Sequence, residues 1–106
     1  MLSFYLLADE APNPRPAELE KLPPAGQLPD ETIAQLRQAQ LIEGRLDFQA
    51  GFRWSSRAVE AKLQLLLQQF PQTKPATGPD STPAQQLLLI LLNASAQQTG
   101  LFALTG

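Results

Sequence analysis

The sequence predicts an α+β fold in which three main helices pack on a small, mainly antiparallel sheet made from an N-terminal strand, a central hairpin and a C-terminal strand. Three observations carry this expectation. Short apolar runs lie near both ends, L-S-F-Y-L-L-A at residues 2–8 and L-F-A-L-T at 101–105, each of strand length. Two leucine-rich segments, 56–70 and 83–97, are long enough for helices and follow residues able to cap them. Between the first helix and the second, the stretch R-L-D-F-Q-A-G-F-R-W alternates apolar and charged residues around a glycine-containing loop. An all-helical bundle is the alternative, because Leu and Gln abound while the chain has one valine and three isoleucines, and strands favour β-branched residues.

Residues 2–8 are short, aromatic-containing and cut off by Asp9-Glu10-Ala11-Pro12, which suits a buried strand. Six of the ten prolines fall between Pro12 and Pro29. They fix φ and remove donors, so residues 12–29 should form a wrapping loop with one helical turn from Pro16 to Leu22. The first helix should open at Asp30 as N-cap, turn Ile33 and Leu36 inward, and end at Gly44. The second should start at Ser55 or Ser56 and stop at Phe70, before Pro71. At 100° per residue Val59, Leu63, Leu66, Leu67 and Phe70 form one core-facing stripe, and Ala58, Ala61 and Leu65 a smaller apolar patch on roughly the opposite side. Residues 71–82 read as a mobile loop of Pro, Thr and Gly. Thr82-Pro83-Ala84-Gln85 is a capping box with proline at the first helical position, so the third helix starts there; Gly100 is placed to end it. Its run L-L-L-I-L-L faces every direction, so the rest of the fold or another subunit must enclose it. The whole chain, 1–106, fits a single domain.

The hairpin would pair Phe48 with Phe52 and Leu46 with Trp54 on one face and Asp47 with Arg53 on the other, since strand side chains alternate with period two. That arrangement sends the aromatics to the core. A nucleic-acid surface would need them exposed as stacking platforms beside Arg45, Arg53 and Arg57, three of the eight Lys and Arg residues. Structural packing is the preferred reading. The formal charge of −2 points the same way, because non-specific attraction to phosphate requires clustered positive charge.

The chain has neither His nor Cys, which removes the common general base at neutral pH, the common zinc ligands and the most reactive nucleophile. No local signature of a Ser-Lys pair, phosphate cradle, dinucleotide fold or calcium loop occurs. The carboxylates Asp9, Glu10, Asp30, Glu31, Asp47 and Asp80 each have a simpler role in a strand end, helix start or turn. A non-enzymatic protein without a cofactor is therefore expected. No apolar run reaches the ~20 residues of a membrane span. The opening M-L-S-F-Y-L-L-A-D-E lacks a basic leader and a small-residue cleavage site, which reads as a cytoplasmic protein.

With 43% hydrophobic and 17% charged residues, the chain has fewer charges than the ~25% of ordinary domains. Surplus leucine and missing catalytic chemistry together lead to an expected small protein-interaction module, whether accessory, inhibitory or self-associating. Its partner would be another protein or a second copy in a homodimer, met through Ala58, Ala61 and Leu65. The alternative is a nucleic-acid-binding domain that uses Arg45, Arg53 and Arg57.

Overall fold

The computed structural model describes residues 1–105. Leu2–Leu7 (β1), Pro24–Leu28 (β2), Phe52–Trp54 (β3) and Gly100–Thr105 (β4) form one antiparallel sheet in the order β2-β1-β4-β3. Asp30–Gln38 (α1), Ser56–Gln69 (α2) and Pro83–Gln97 (α3) pack on it, the α+β class that the sequence predicts. Strand alternation sets the layers. Leu2, Phe4, Leu101, Ala103, Phe52 and Trp54 share the core with Ile33, Leu36, Val59, Leu66, Leu87 and Leu91, while Tyr5, Phe102 and Arg53 form a register row on the other side of the sheet.

The expected hairpin does not form. Residues 45–51 contain no strand, and β3 pairs instead with β4, Phe52 opposite Ala103 and Trp54 opposite Leu101. Asp47 explains the difference. Its carboxylate accepts the N–H groups of Gln49 and Ala50, both at 3.1 Å, and its carbonyl accepts that of Gly51 at 3.0 Å, so residues 47–51 close a local turn, and the carbonyl of Phe48 accepts the Thr105 N–H of β4 at 2.9 Å instead of pairing with Phe52. The long strand β4 then supplies the ladder that an isolated two-stranded ribbon would provide only marginally. The side chains still reach the expected place: Phe52 and Trp54 are buried, and Leu46 and Phe48 pack against the core. Gly51, at φ +94°, lies so close to the Phe102 ring that a Cβ would sit 2.6 Å from it.

The proline-rich segment also departs from expectation. It contains the short 3-10 helix Pro16–Lys21, as predicted, but its last part is strand β2 rather than loop. Pro24 is tolerated because it is the first residue of an edge strand, where a missing N–H costs no ladder bond. Gly26, at φ +148°, lets this edge lie against α3; a Cβ there would be 2.7 Å from Ile90 Cγ1.

Helix boundaries follow local chemistry with three corrections. Pro29, not Asp30, is the N-cap of α1, and the helix stops at Gln38, well before Gly44. Gln40 takes a left-handed conformation (φ 62°), and the amides of Leu41 and Ile42 both return to the Leu36 carbonyl, at 2.9 and 3.4 Å. This early turn drives Leu41 and Ile42 into the core, a gain that outweighs continuing the helix to a glycine. Helix α2 matches expectation: the Ser55 hydroxyl accepts the Ala58 N–H at 3.2 Å. Helix α3 has the predicted capping box, with Gln85 N–H donating to Thr82 Oγ1 at 3.2 Å and Thr82 N–H to Gln85 Oε1 at 2.9 Å. It ends at Gln98 in a left-handed conformation, not at Gly100. Leu87, Leu88, Ile90 and Leu91 are buried among α1, α2 and the sheet, while Leu89 and Leu92 of the same run remain half-buried.

Three substitutions test these local constraints by chemical unfolding. Ser55→Ala should cost about 1 kcal/mol through the lost cap. Gly26→Ala should cost about 1–3 kcal/mol, since Ile90 must give way. Gly100→Ala should cost more, because its Cβ would lie 2.3 Å from the Trp54 carbonyl oxygen, a backbone atom that cannot rotate aside.

Candidate interaction surface

Of the three arginines, only Arg53 is engaged by side-chain hydrogen bonds among the described residues. Arg53 extends from β3 toward the turn after β1, where Nη2 donates to the carbonyls of Ala8 at 2.6 Å and Asp9 at 2.9 Å, and Nη1 to Asn13 Oδ1 at 3.3 Å. It is a strap between chain segments. Arg45 lies exposed in the segment before β3, and Arg57 exposed in the first turn of α2. The neighbouring aromatics are core: Phe4, Phe52 and Trp54 have ring centroids 5.4 to 6.2 Å apart, and Phe48 lies 5.3 Å from Phe52. Two cations cover this cluster, Arg37 4.3 Å above Phe48 and Lys62 4.5 Å above Trp54, and Lys62 also pairs with Glu43.

The carboxylates likewise serve backbone and helix ends. Asp9 crosses from the end of β1 to the start of α2, where it accepts the Ser56 N–H at 2.8 Å and the Ser56 hydroxyl. The Ser56 hydroxyl holds the Asp9 carboxyl below its ordinary value of 3.8, helped by the Ser56 N–H and the Arg53 charge and opposed by desolvation. Asp47 closes its own turn. Among the described residues no three acidic side chains converge.

The outer side of α2 is only partly apolar. Ala58 is half-buried and packs against the core, Ala61 is exposed, and Leu65 is 39% exposed. Arg57, Gln64 and Gln68 lie beside them, so this is a mixed face rather than a continuous patch. The expected core stripe of α2 also frays at its end. Val59, Leu63 and Leu66 are buried, but Leu67 and Phe70 each remain 38% exposed.

Phe70 borders a mainly apolar concavity. Leu36 and Leu41 at the end of α1, with Ala84 at the start of α3, form the floor of a groove of about 340 Å³; Ala39, Phe70 and Pro83 form its walls. Gln35, Thr73 and Thr82 are its polar members, and no charged residue lines it. The sequence signals for this site were present but unjoined. Leu36 and Leu41 belong to a helix end that turns earlier than Gly44, and Phe70 closes the groove only because the loop after α2 brings α3 back beside α1.

A larger cleft of about 790 Å³ lies between β2, the first turn of α1 and residues 77–81. Thr32, buried at its base, donates to Gln86 Oε1 at 3.1 Å, and Gln86 Nε2 donates to Ser81 Oγ at 2.9 Å. That relay satisfies the buried hydroxyl and ties α1, α3 and the preceding loop together. No family model, curated protein or solved structure matches the chain. No helix of the described residues is long and apolar enough to cross a membrane.

The Asp9 cap generates a pH dependence with a definite sign. Its pKa is lowered on folding, so its contribution is present above the ordinary value of 3.8 and is lost as pH falls through the lowered folded value. Wild type should melt above Asp9→Asn near neutral pH, and the difference should shrink as the pH drops below 3.8. Thermal melts across that window measure it; a constant difference would mean that the charge of Asp9 contributes nothing.

Proposed function

We propose that this chain is a small non-catalytic protein-interaction module that uses the apolar groove between the end of α1 and the start of α3. The carrying observation is that groove, open and uncharged, with Phe70 exposed on its wall although most of the chain's leucine is enclosed. A bulky apolar residue left partly in water beside a concavity forgoes burial that a bound partner restores, roughly 25 cal/mol per Å². The dispersed carboxylates and the absence of His and Cys support a binding role over a catalytic one.

This reading places contact at Phe70 and the groove, with Leu67 on the same side of α2 as a secondary margin and Leu65, on roughly the opposite side, outside it. Affinity capture with the intact chain, followed by reconstitution with each purified captured protein, provides the test. Phe70→Glu should weaken a reconstituted complex by about tenfold or more, ~1.4 kcal/mol, and Leu65→Glu by less. Both variants should keep the wild-type fold because both sites are already partly exposed. Undiminished binding by Phe70→Glu would move the interface off the groove. If no partner and no self-association is found, the interaction reading falls.

A further inference from the structure

We infer that residues 72–81 form a latched gate, a strap between α2 and α3 that opens without unfolding the domain and is held shut by the relay from Thr32 through Gln86 to Ser81. The inference concerns access to the concavities on either side of the strap and holds whatever occupies them, so it stands apart from the interaction reading above.

Its position makes the strap a partition. On one side Thr73, with Thr82 just beyond the strap, lines the Phe70 groove and an adjoining concavity of about 350 Å³ that reaches Pro71, Gln72 and Gln85. On the other side Thr77, Gly78, Pro79 and Ser81 line the cleft of about 790 Å³. Gln35 and Pro83 border both groove and cleft, so the two spaces adjoin there. With the strap lifted they become one trough beside the first turn of α3.

Few contacts hold the strap down. Thr73, Ala76 and Ser81 are half-buried and its other residues exposed, so lifting it uncovers little apolar surface. Its middle makes a single backbone bond to the body, from the Ala76 N–H to the Gln85 carbonyl at 3.4 Å, the weak end of the hydrogen-bond range. The bonds from Thr73 N–H to the Phe70 carbonyl at 3.0 Å and from Ser81 N–H to the Gly78 carbonyl at 3.1 Å are local turns that travel with it. Pro75 and Pro79 fix φ between them, which stiffens the strap into one moving piece.

The remaining tether is Ser81, whose Oγ accepts from Gln86 Nε2 at 2.9 Å. A carboxamide has one donor end and one acceptor end. The buried Thr32 hydroxyl decides which end faces the strap: it donates to Gln86 Oε1 at 3.1 Å and so leaves Nε2 for Ser81. Thr32 is therefore a positioning residue that holds the strap through Gln86.

Amide hydrogen exchange of the intact chain reads the gate, because the Ala76 N–H meets the Gln85 carbonyl only while the strap is down. Ala76 should exchange at least about a hundredfold faster than the Leu63 and Leu91 amides inside α2 and α3, which wait for larger openings, yet slower than in an unfolded chain. Thr32→Val keeps the shape and removes the donor. It should speed Ala76 exchange relative to Leu91 by about two- to tenfold, the worth of one hydrogen bond. Thr32→Ser, which keeps the hydroxyl, should hold the wild-type ratio. Ser81→Ala should also speed it, and the double variant no further than the faster single, since both act through Gln86. Should Thr32→Val not fold, Gln86→Met breaks the relay from α3 and takes its place. The chain has no cysteine, so Ala84→Cys puts a single thiol on the groove floor. Its labelling by a soluble aromatic disulfide should accelerate in the latch-broken background by the same factor as Ala76 exchange. Ala76 exchanging together with the core amides, or as fast as in an unfolded chain, would overturn the gate. An unchanged ratio in the latch-broken variant, or additive effects of the two single substitutions, would overturn the latch. A thiol labelled equally fast in both backgrounds would reveal a moving loop that controls no access, which overturns the inference as well.

Discussion

The pairing of β1 with β4 is the constraint on which the rest of the structure depends. These two strands form the centre of the sheet, in register from Leu2 opposite Thr105 to Leu7 opposite Gly100. Each outer strand needs one of them: β2 finds its ladder only on β1, and β3 only on β4. The helices pack on the face that this pairing creates, where Phe4, Leu101 and Ala103 meet α2 and α3. The central contact joins segments almost a chain length apart, so loop-closure entropy must be overcome before the sheet stabilises anything. Local helix formation, supported by the Ser55 cap and the Thr82–Gln85 capping box, comes at much lower entropic cost.

One corner locks this central pair to the helical layer. Asp9 leaves β1 and caps α2 at Ser56, Arg53 on β3 holds the carbonyls of Ala8 and Asp9, and Gly100 begins β4 where a side chain would strike Trp54. Three strands and a helix start therefore meet through one carboxylate, one guanidinium and one missing Cβ. The same economy applies to Lys62, which at once covers the Trp54 ring, pairs with Glu43 and reaches the Leu41 carbonyl at 3.4 Å.

The surface follows from how this core is closed. Helix α3 turns Leu87, Leu88, Ile90, Leu91 and Ala94 toward α1, α2 and the sheet, which bury them, while Leu89 and Leu92 stay half-buried. The apolar residues left partly in water lie mainly on α2. Leu65 is there because it points away from the sheet, and Phe70 because the helix ends at it and nothing fills the space between α1 and α3. The groove is thus a seam between helix ends, a place where ridge-into-groove packing cannot continue.

How much was legible in the sequence depended on whether a decision was local. The capping box at Thr82, the Ser55 cap, the stop before Pro71 and the buried face of Val59, Leu63 and Leu66 could all be read from residues within one or two turns. So could the inward destination of Phe52 and Trp54, because alternation fixes which side chains travel together. The partner of their strand could not, since β4, some fifty residues later, offered the ladder that the segment 45–48 was expected to supply. Strand β2 was hidden for a related reason: proline forbids a central strand but is permitted at an edge, and only the assembled sheet says which strand is the edge. The groove lies beyond sequence for the same cause. Periodicity assigns a side chain to a face of its own helix, whereas a cavity is space shared by three separate ends, and only tertiary packing decides whether that space is filled.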